Sequence, residues 1–203
     1  MNVVLKINPD TMRMTTHNRY KGMKGEWLGI AFNRGKLGNI NHDIIMSSTW
    51  GPWVHCEVIV GKDEVGTAYG AFEHVGGFLR SQNVHDPRDW SVFVTPVSSL
   101  MPLQAAVVRM VDLGIKYNTS DLWQCCIKTL LPFETELDCH RPESWKNGVF
   151  CSQVALLMLR RMSDENVVSL PTPMTHMLHS VHSRGCSPNT LFNLVRTGMV
   201  QLY

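Results

Sequence analysis

Trp53-Val54-His55-Cys56-Glu57-Val58-Ile59-Val60 reads as a β-strand. Val54, Cys56, Val58 and Val60 fall on one face by alternation, and His55, Glu57 and Ile59 on the other. The β-branched residues favour strand over helix, because their stiff side chains suit a pleated surface. His55 and Glu57 therefore project the same way, into one cleft. That direction sets Glu57 beside the imidazole rather than behind it. Gly61-Lys62-Asp63-Glu64 then reads as a turn.

A second stretch completes the reading. Gly148-Val149-Phe150-Cys151-Ser152-Gln153 runs straight into Val154-Ala155-Leu156-Leu157-Met158-Leu159. The apolar run has no polar face before Arg160-Arg161, which predicts a helix buried on all sides. Asn147-Gly148 breaks the chain just upstream, so Cys151 falls in or just before the first turn. Unpaired N–H groups and the helix dipole favour a thiolate there, and a nearby imidazolium lowers the thiol pKa further. A lone cysteine at a buried helix is more often inert packing. The pairing with a strand His and Glu is what points to nucleophilic catalysis.

The chain has 203 residues, 44% apolar and 18% charged, with a formal net charge of +2. Those values suit one globular domain with a core that needs no staples. No basic run supports nucleic-acid binding. The nearest, from Arg13 to Lys24, reads as a solvated segment. No GxxxxGK[ST] or GxGxxG motif points to nucleotide phosphate. The start, Met1-Asn2-Val3-Val4-Leu5-Lys6, lacks signal-peptide character, and no apolar run reaches the roughly eighteen residues of a membrane span. A cytoplasmic protein is expected. Six cysteines, at 56, 125, 126, 139, 151 and 186, show no CxxC pair and read as free thiols.

Working outward, residues 1 to 25 read as an irregular N-terminal extension of a single domain, 1–203. Trp27 to Phe32 is a first core strand, Gly35 to His42 a loop, and Ile44 to Trp50 a connection into the His55 strand. Thr67 to Phe72 and Gly77 to Leu79 form part of a meander. Trp90 to Val97 is another strand, with Pro96 marking its end or an edge. Pro102 starts a helix to Leu113, ended by Gly114. Ser120 or Asp121 caps a short helix through Leu130. Residues 132–148 form a long charged loop before Cys151, read as an active-site lid or substrate loop, the alternative being a surface insertion. Pro171-Thr172-Pro173 and Ser187-Pro188-Asn189 start two last helices. Strands followed by helices make an α+β fold.

The chain resembles the circularly permuted NlpC/P60 proteins, a papain-like cysteine hydrolase superfamily with bacterial, phage and poxviral members. Four stretches carry the resemblance, in family order. They are His55-Cys56-Glu57-Val58-Ile59, Leu113-Gly114-Ile115-Lys116-Tyr117-Asn118, Phe150-Cys151-Ser152-Gln153 and Ser187-Pro188-Asn189-Thr190-Leu191. Asn118 stands where the family has Asp, and Gln153 where it has Glu. The resemblance implies an antiparallel sheet packed against helices, with the His strand preceding the Cys helix. It implies Cys151 as nucleophile, His55 as base and Glu57 as third residue, with Glu73 of the next strand as the alternative orienting acid. Tyr117 and Gln153 are then expected at the substrate. The implied substrate is a peptide amide of the peptidoglycan type or a lipid acyl group. The alternative is an inactive binding or structural module on the same fold. A viral, virion-associated origin fits the poxviral members.

A membrane-surface role is a further expectation, with Trp50, Trp53 and Trp145 flanking the cleft as a rim for an acyl substrate. His176, His179 and His182 recur every third residue and read as surface histidines, since HExxH-type zinc sites use a spacing of four. Cys139-His140 and Cys125-Cys126 carry ligand types for zinc but match no standard spacing. No metal and no other cofactor is assigned.

Overall fold

A computed structural model describes residues 18–119, 122, 125, 136–145 and 147–203. Most of the expected N-terminal extension and most of the expected helix after Ser120 lie outside the described residues.

Among the described residues seven strands form one antiparallel sheet. They are β1 (Asn18–Arg19), β2 (Glu26–Arg34), β3 (Trp53–Lys62), β4 (Val65–Phe72), β5 (Gly77–Arg80), β6 (Trp90–Pro96) and β7 (Val200–Gln201). The order is β1-β4-β3-β2-β6-β7, and β5 pairs the other half of the β4 edge that β1 holds. The helices are α1 (Ile40–Thr49), α2 (Met101–Asp112), α3 (Cys151–Asp164), α4 (Thr172–Ser180) and α5 (Pro188–Val195). The architecture is α+β. Among the described residues no helix is long and apolar enough to cross a membrane.

The alternation in β3 sorts the sheet into two faces. Cys56, Val58 and Val60 join Leu28, Ile30 and Phe32 in the main core, under the apolar run of α3. Every residue of α3 from Cys151 to Arg160 is buried, as its lack of a polar face requires. Ile59, on the other face, packs with Tyr20, Trp27, Trp90 and Val92 in a smaller cluster. Trp27 lies against Gly61, where a Cβ would come within 2.0 Å of the indole. Only glycine admits that approach.

One element departs from expectation. Residues 40 to 49, read as loop and connection, form α1. Asn39 caps it by accepting from the His42 N–H, and Asp43 stands in its first turn. Trp50 ends it in the left-handed region, φ 54°. Gly35 to Gly38 is the true loop.

Two of the sequence motifs hold each other in place. Gly114, at φ 58°, ends the turn after α2. The chain then runs parallel to the segment before Cys151: Val149 N–H donates to Lys116 O at 2.9 Å, and Asn118 N–H to Val149 O at 3.0 Å. Gly148 permits this contact, since a Cβ there would stand 2.5 Å from Lys116 O. The late motif fixes the other side of the site. Ser187 caps α5 through Thr190 N–H, and buried Asn189 clamps Trp53. Its amide accepts from Trp53 N–H at 3.0 Å and donates to Trp53 O at 2.9 Å. The start of β3 is thereby fixed just before His55.

Candidate active site

The structure brings Cys151, His55 and Glu57 together. Cys151 opens α3, preceded by an extended Phe150 as N-cap. Gln153 Oε1 accepts the Phe150 N–H at 2.8 Å, which closes a capping box and sets the first turn. β3 supplies the other two groups. Its register against β2 slips between Asn33 and Arg34, opposite His55 and Trp53. Such a bulge bends a strand and re-aims its side chains. The Cys151 thiol comes close enough to both Cys56 and His55, neighbours in sequence, for each to act on its charge.

Glu57 sits behind the imidazole, contrary to the geometric expectation. Its Oε1 lies 3.3 Å from His55 Nε2. Glu57 is buried, and its remaining lone pairs are met from a segment that sequence reading passed over. Asn83 donates its amide to Oε1, and His85 Nε2 reaches Oε2 at 2.9 Å. His85 is also buried, and its Nδ1 meets the Tyr20 hydroxyl at 2.7 Å. The result is one chain of groups: Cys151, His55, Glu57, His85, Tyr20. Phe72 and Trp90 hold the His55 ring at centroid distances of 5.0 and 6.2 Å.

The electrostatics follow. Hydrogen bonding from the Cys56 side chain holds the Cys151 thiol well below its ordinary range, outweighing burial, and His55 adds to the effect. Burial and the neighbouring Cys151 push the Cys56 thiol up, so it remains a donor. Burial alone would lower the His55 pKa. Cys151 and then Glu57 overcome that and raise it to about 10. Burial likewise works to raise Glu57, but hydrogen bonds from His55 and His85 bring it down to about 2. These directions favour a charged sulfur at Cys151, a proton on His55 and a carboxylate at Glu57.

A cavity of about 550 Å³ opens onto His55. Its walls are mixed: amides such as Asn41 and Asn83, the rings of Phe72, Trp90 and Tyr117, and the charged Lys36 and Asp89. Tyr117 thus stands on the wall while also packing on the core. Glu73 is exposed in a one-turn 3-10 helix on the rim; the carboxylate that contacts His55 is that of Glu57. Gln153 does not reach the cavity. It is fully buried, and its side chain caps the helix instead of facing a substrate. Cys151 itself is 3% exposed, and the cavity ends at His55, one side chain short of the sulfur.

The expected tryptophan rim is not formed. Trp53 stacks on Phe192 at 4.6 Å, and Trp145 is buried with its N–H on Asp138 O. Trp50 is 93% exposed but lies off the cavity wall, near Leu37 and Met46 on the other side of α1. The histidines of the 176–182 series also diverge. His179 contacts Asp164, His182 contacts Glu136, and His176 stands exposed. Comparisons with family models, curated proteins and solved structures return no match.

Proposed function

We propose that this protein is a cysteine-dependent hydrolase or acyltransferase of the permuted NlpC/P60 type, acting on an amide or ester. The observation that carries the reading is the placement of Cys151 against His55, with Glu57 on the imidazole's far nitrogen. The Cys151 thiolate attacks the substrate carbonyl carbon. The carbonyl electrons move to oxygen, and the N–H groups at the start of α3 stabilise that charge. His55 gives a proton to the leaving amine or alkoxide as the carbon–heteroatom bond breaks. The acyl group then sits on sulfur. His55, now neutral, takes a proton from water or another acceptor, which attacks the thioester and releases the thiolate. Glu57 holds the ring and balances the imidazolium throughout, fixed in turn by Asn83 and His85.

The polar and charged groups on the cavity wall favour a peptide over a long acyl chain. Asn39 and Asn83 are committed to the α1 cap and to Glu57, so Asn41, Lys36 and Asp89 are the polar wall groups set to meet such a substrate. The test is labelling with a thiol-directed electrophile, followed by hydrolysis of short peptide amides. Labelling at Cys151 that disappears in Cys151→Ala supports the reading. Equal labelling of wild type and variant defeats it.

A second reading rests on a different observation. Cys151 is buried, and the cavity stops at His55. A binding module that keeps the fold and the cavity without turnover needs nothing more. It predicts that Cys151→Ala binds the same peptides as wild type and that wild type never cleaves them.

A further inference from the structure

A second group of reactive side chains lies at the other end of α3 from Cys151. Asp164 is the last residue of that helix. Cys139 and His140 belong to the loop that leads towards Cys151, and His179 stands in the last turn of α4. The ligand atoms of Cys139, His140 and Asp164 all lie within 4.8 Å of one another, and among the described residues this is the one such group. Asp164 is the hub. Its Oδ2 is 3.1 Å from His140 Nε2 and 3.7 Å from Cys139 Sγ, and its Oδ1 is 3.4 Å from His179 Nε2.

These separations match a metal's demands. Zinc binds thiolate sulfur at about 2.3 Å and imidazole or carboxylate at about 2.0–2.2 Å. In a tetrahedron those bonds place neighbouring donors about 3.3–3.7 Å apart. The two separations from Asp164 Oδ2, 3.1 Å to His140 and 3.7 Å to Cys139, fall on or close to that range. The donor set also discriminates. A thiol with imidazoles suits zinc, whereas magnesium and calcium want oxygen. Beyond the cluster, Glu165 Oε1 lies 3.9 Å from Nδ1 of His140, the side of the ring that Nε2 ligation leaves for an orienting carboxylate. Ordinary surface ion pairs account for the histidines, and Cys139 packs at the edge of the main core; what a metal would use is the convergence of its sulfur on the carboxylate oxygen that also meets His140.

We propose that Cys139, His140 and Asp164 bind a zinc ion. The ion joins the loop before Cys151 to the end of the Cys151 helix, and Asp164 Oδ1 ties in His179 from the end of α4. Cys139 loses its proton to solvent on binding and ligates as thiolate, and the metal keeps its charge of two, so no redox step is involved. The role is structural. It fastens the loop that precedes the nucleophile without touching the reacting groups.

The experiment uses the full chain, purified without chelator from zinc-supplemented culture, then stripped and titrated with zinc(II) and cobalt(II). One equivalent of tightly held zinc is expected, with a thiolate-to-cobalt charge-transfer band for the cobalt form. Cys139→Ser and Asp164→Asn should lose both, and Cys151→Ser should keep both. On wild type alone, zinc should protect Cys139 from iodoacetamide, read by peptide mass spectrometry, and chelator should restore its modification. That readout serves if the variants fail to fold. Absence of stoichiometric metal, a cobalt spectrum without the thiolate band, or unchanged alkylation of Cys139 with zinc would each overturn the proposal.

Discussion

Glu57 and His55, two positions apart on one strand, are hydrogen-bonded at 3.3 Å, with the carboxylate buried and the imidazole at the cavity. One strand thereby supplies both groups to which the proposed mechanism assigns the base and its orienting acid. The carboxylate is not a passive neighbour, because its second oxygen is held by His85 at 2.9 Å. The predictions that follow rest on this arrangement.

His55→Ala removes the proton donor and acceptor of the site. Hydrolysis of any cleaved substrate should fall by roughly 100-fold or more, the usual share of a positioned acid–base group. The thermal midpoint should change much less than the rate. Steady-state rates beside a calorimetric scan check both. An active His55→Ala enzyme would remove His55 from the mechanism.

The imidazolium gives activity a defined alkaline limit. The His55 pKa is raised to about 10, so kcat/KM should hold at neutral pH and fall as pH rises through that region. Glu57→Gln weakens the stabilisation of the charged ring, and the limb should move to lower pH. A limb that stays in place after Glu57→Gln contradicts the role given to this carboxylate.

Acid stability carries the opposite sign. Glu57 has its pKa depressed to about 2 in the fold, against an ordinary 4.5. Its contribution is fully present above 4.5 and is lost as pH falls through the folded value. Wild type should therefore lose a few kcal/mol across that interval, and Glu57→Gln should lose less. Denaturant melts at a series of pH values provide the comparison.

Asn189 fastens the start of β3 through Trp53, with bonds of 3.0 and 2.9 Å. Asn189→Ala leaves those part-buried backbone groups without this partner and should cost about 1–3 kcal/mol. His55 follows two residues later, so activity should also drop more than stability alone explains. Asn189→Asp is the useful contrast: it can still accept from Trp53 N–H but cannot donate to Trp53 O.

Much of this was legible in the sequence because it is local. The alternation of Val58, Ile59 and Val60 marks a strand, and the unbroken run from Val154 to Leu159 marks a buried helix. Helix α1 was illegible because Ile40, Ile44, Ile45, Ser47, Ser48 and Thr49 are weak helix formers. Its signal was Asn39 as a cap with Asp43 after it. His85 and Tyr20 were hidden for another reason. They join the site across separations of 28 and 65 residues, and no short pattern records such a meeting. The same holds for Cys139, His140, Asp164 and His179, which local spacing scatters and the packing of α3 and α4 collects. Gln153 shows the opposite failure. Its place in a family motif suggested substrate contact, while its position three residues after Phe150 also fits a capping box, the role it has in the fold.

The most direct test is the rate of iodoacetamide modification at Cys151 against pH, in wild type and in His55→Ala. The account predicts that the wild-type rate stays near its plateau well below the ordinary thiol pKa of about 8.5, because Cys151 is already a thiolate. In His55→Ala the midpoint should move up towards the ordinary range. A wild-type profile that titrates like a free thiol, unchanged by His55→Ala, would contradict the thiolate–imidazolium pair.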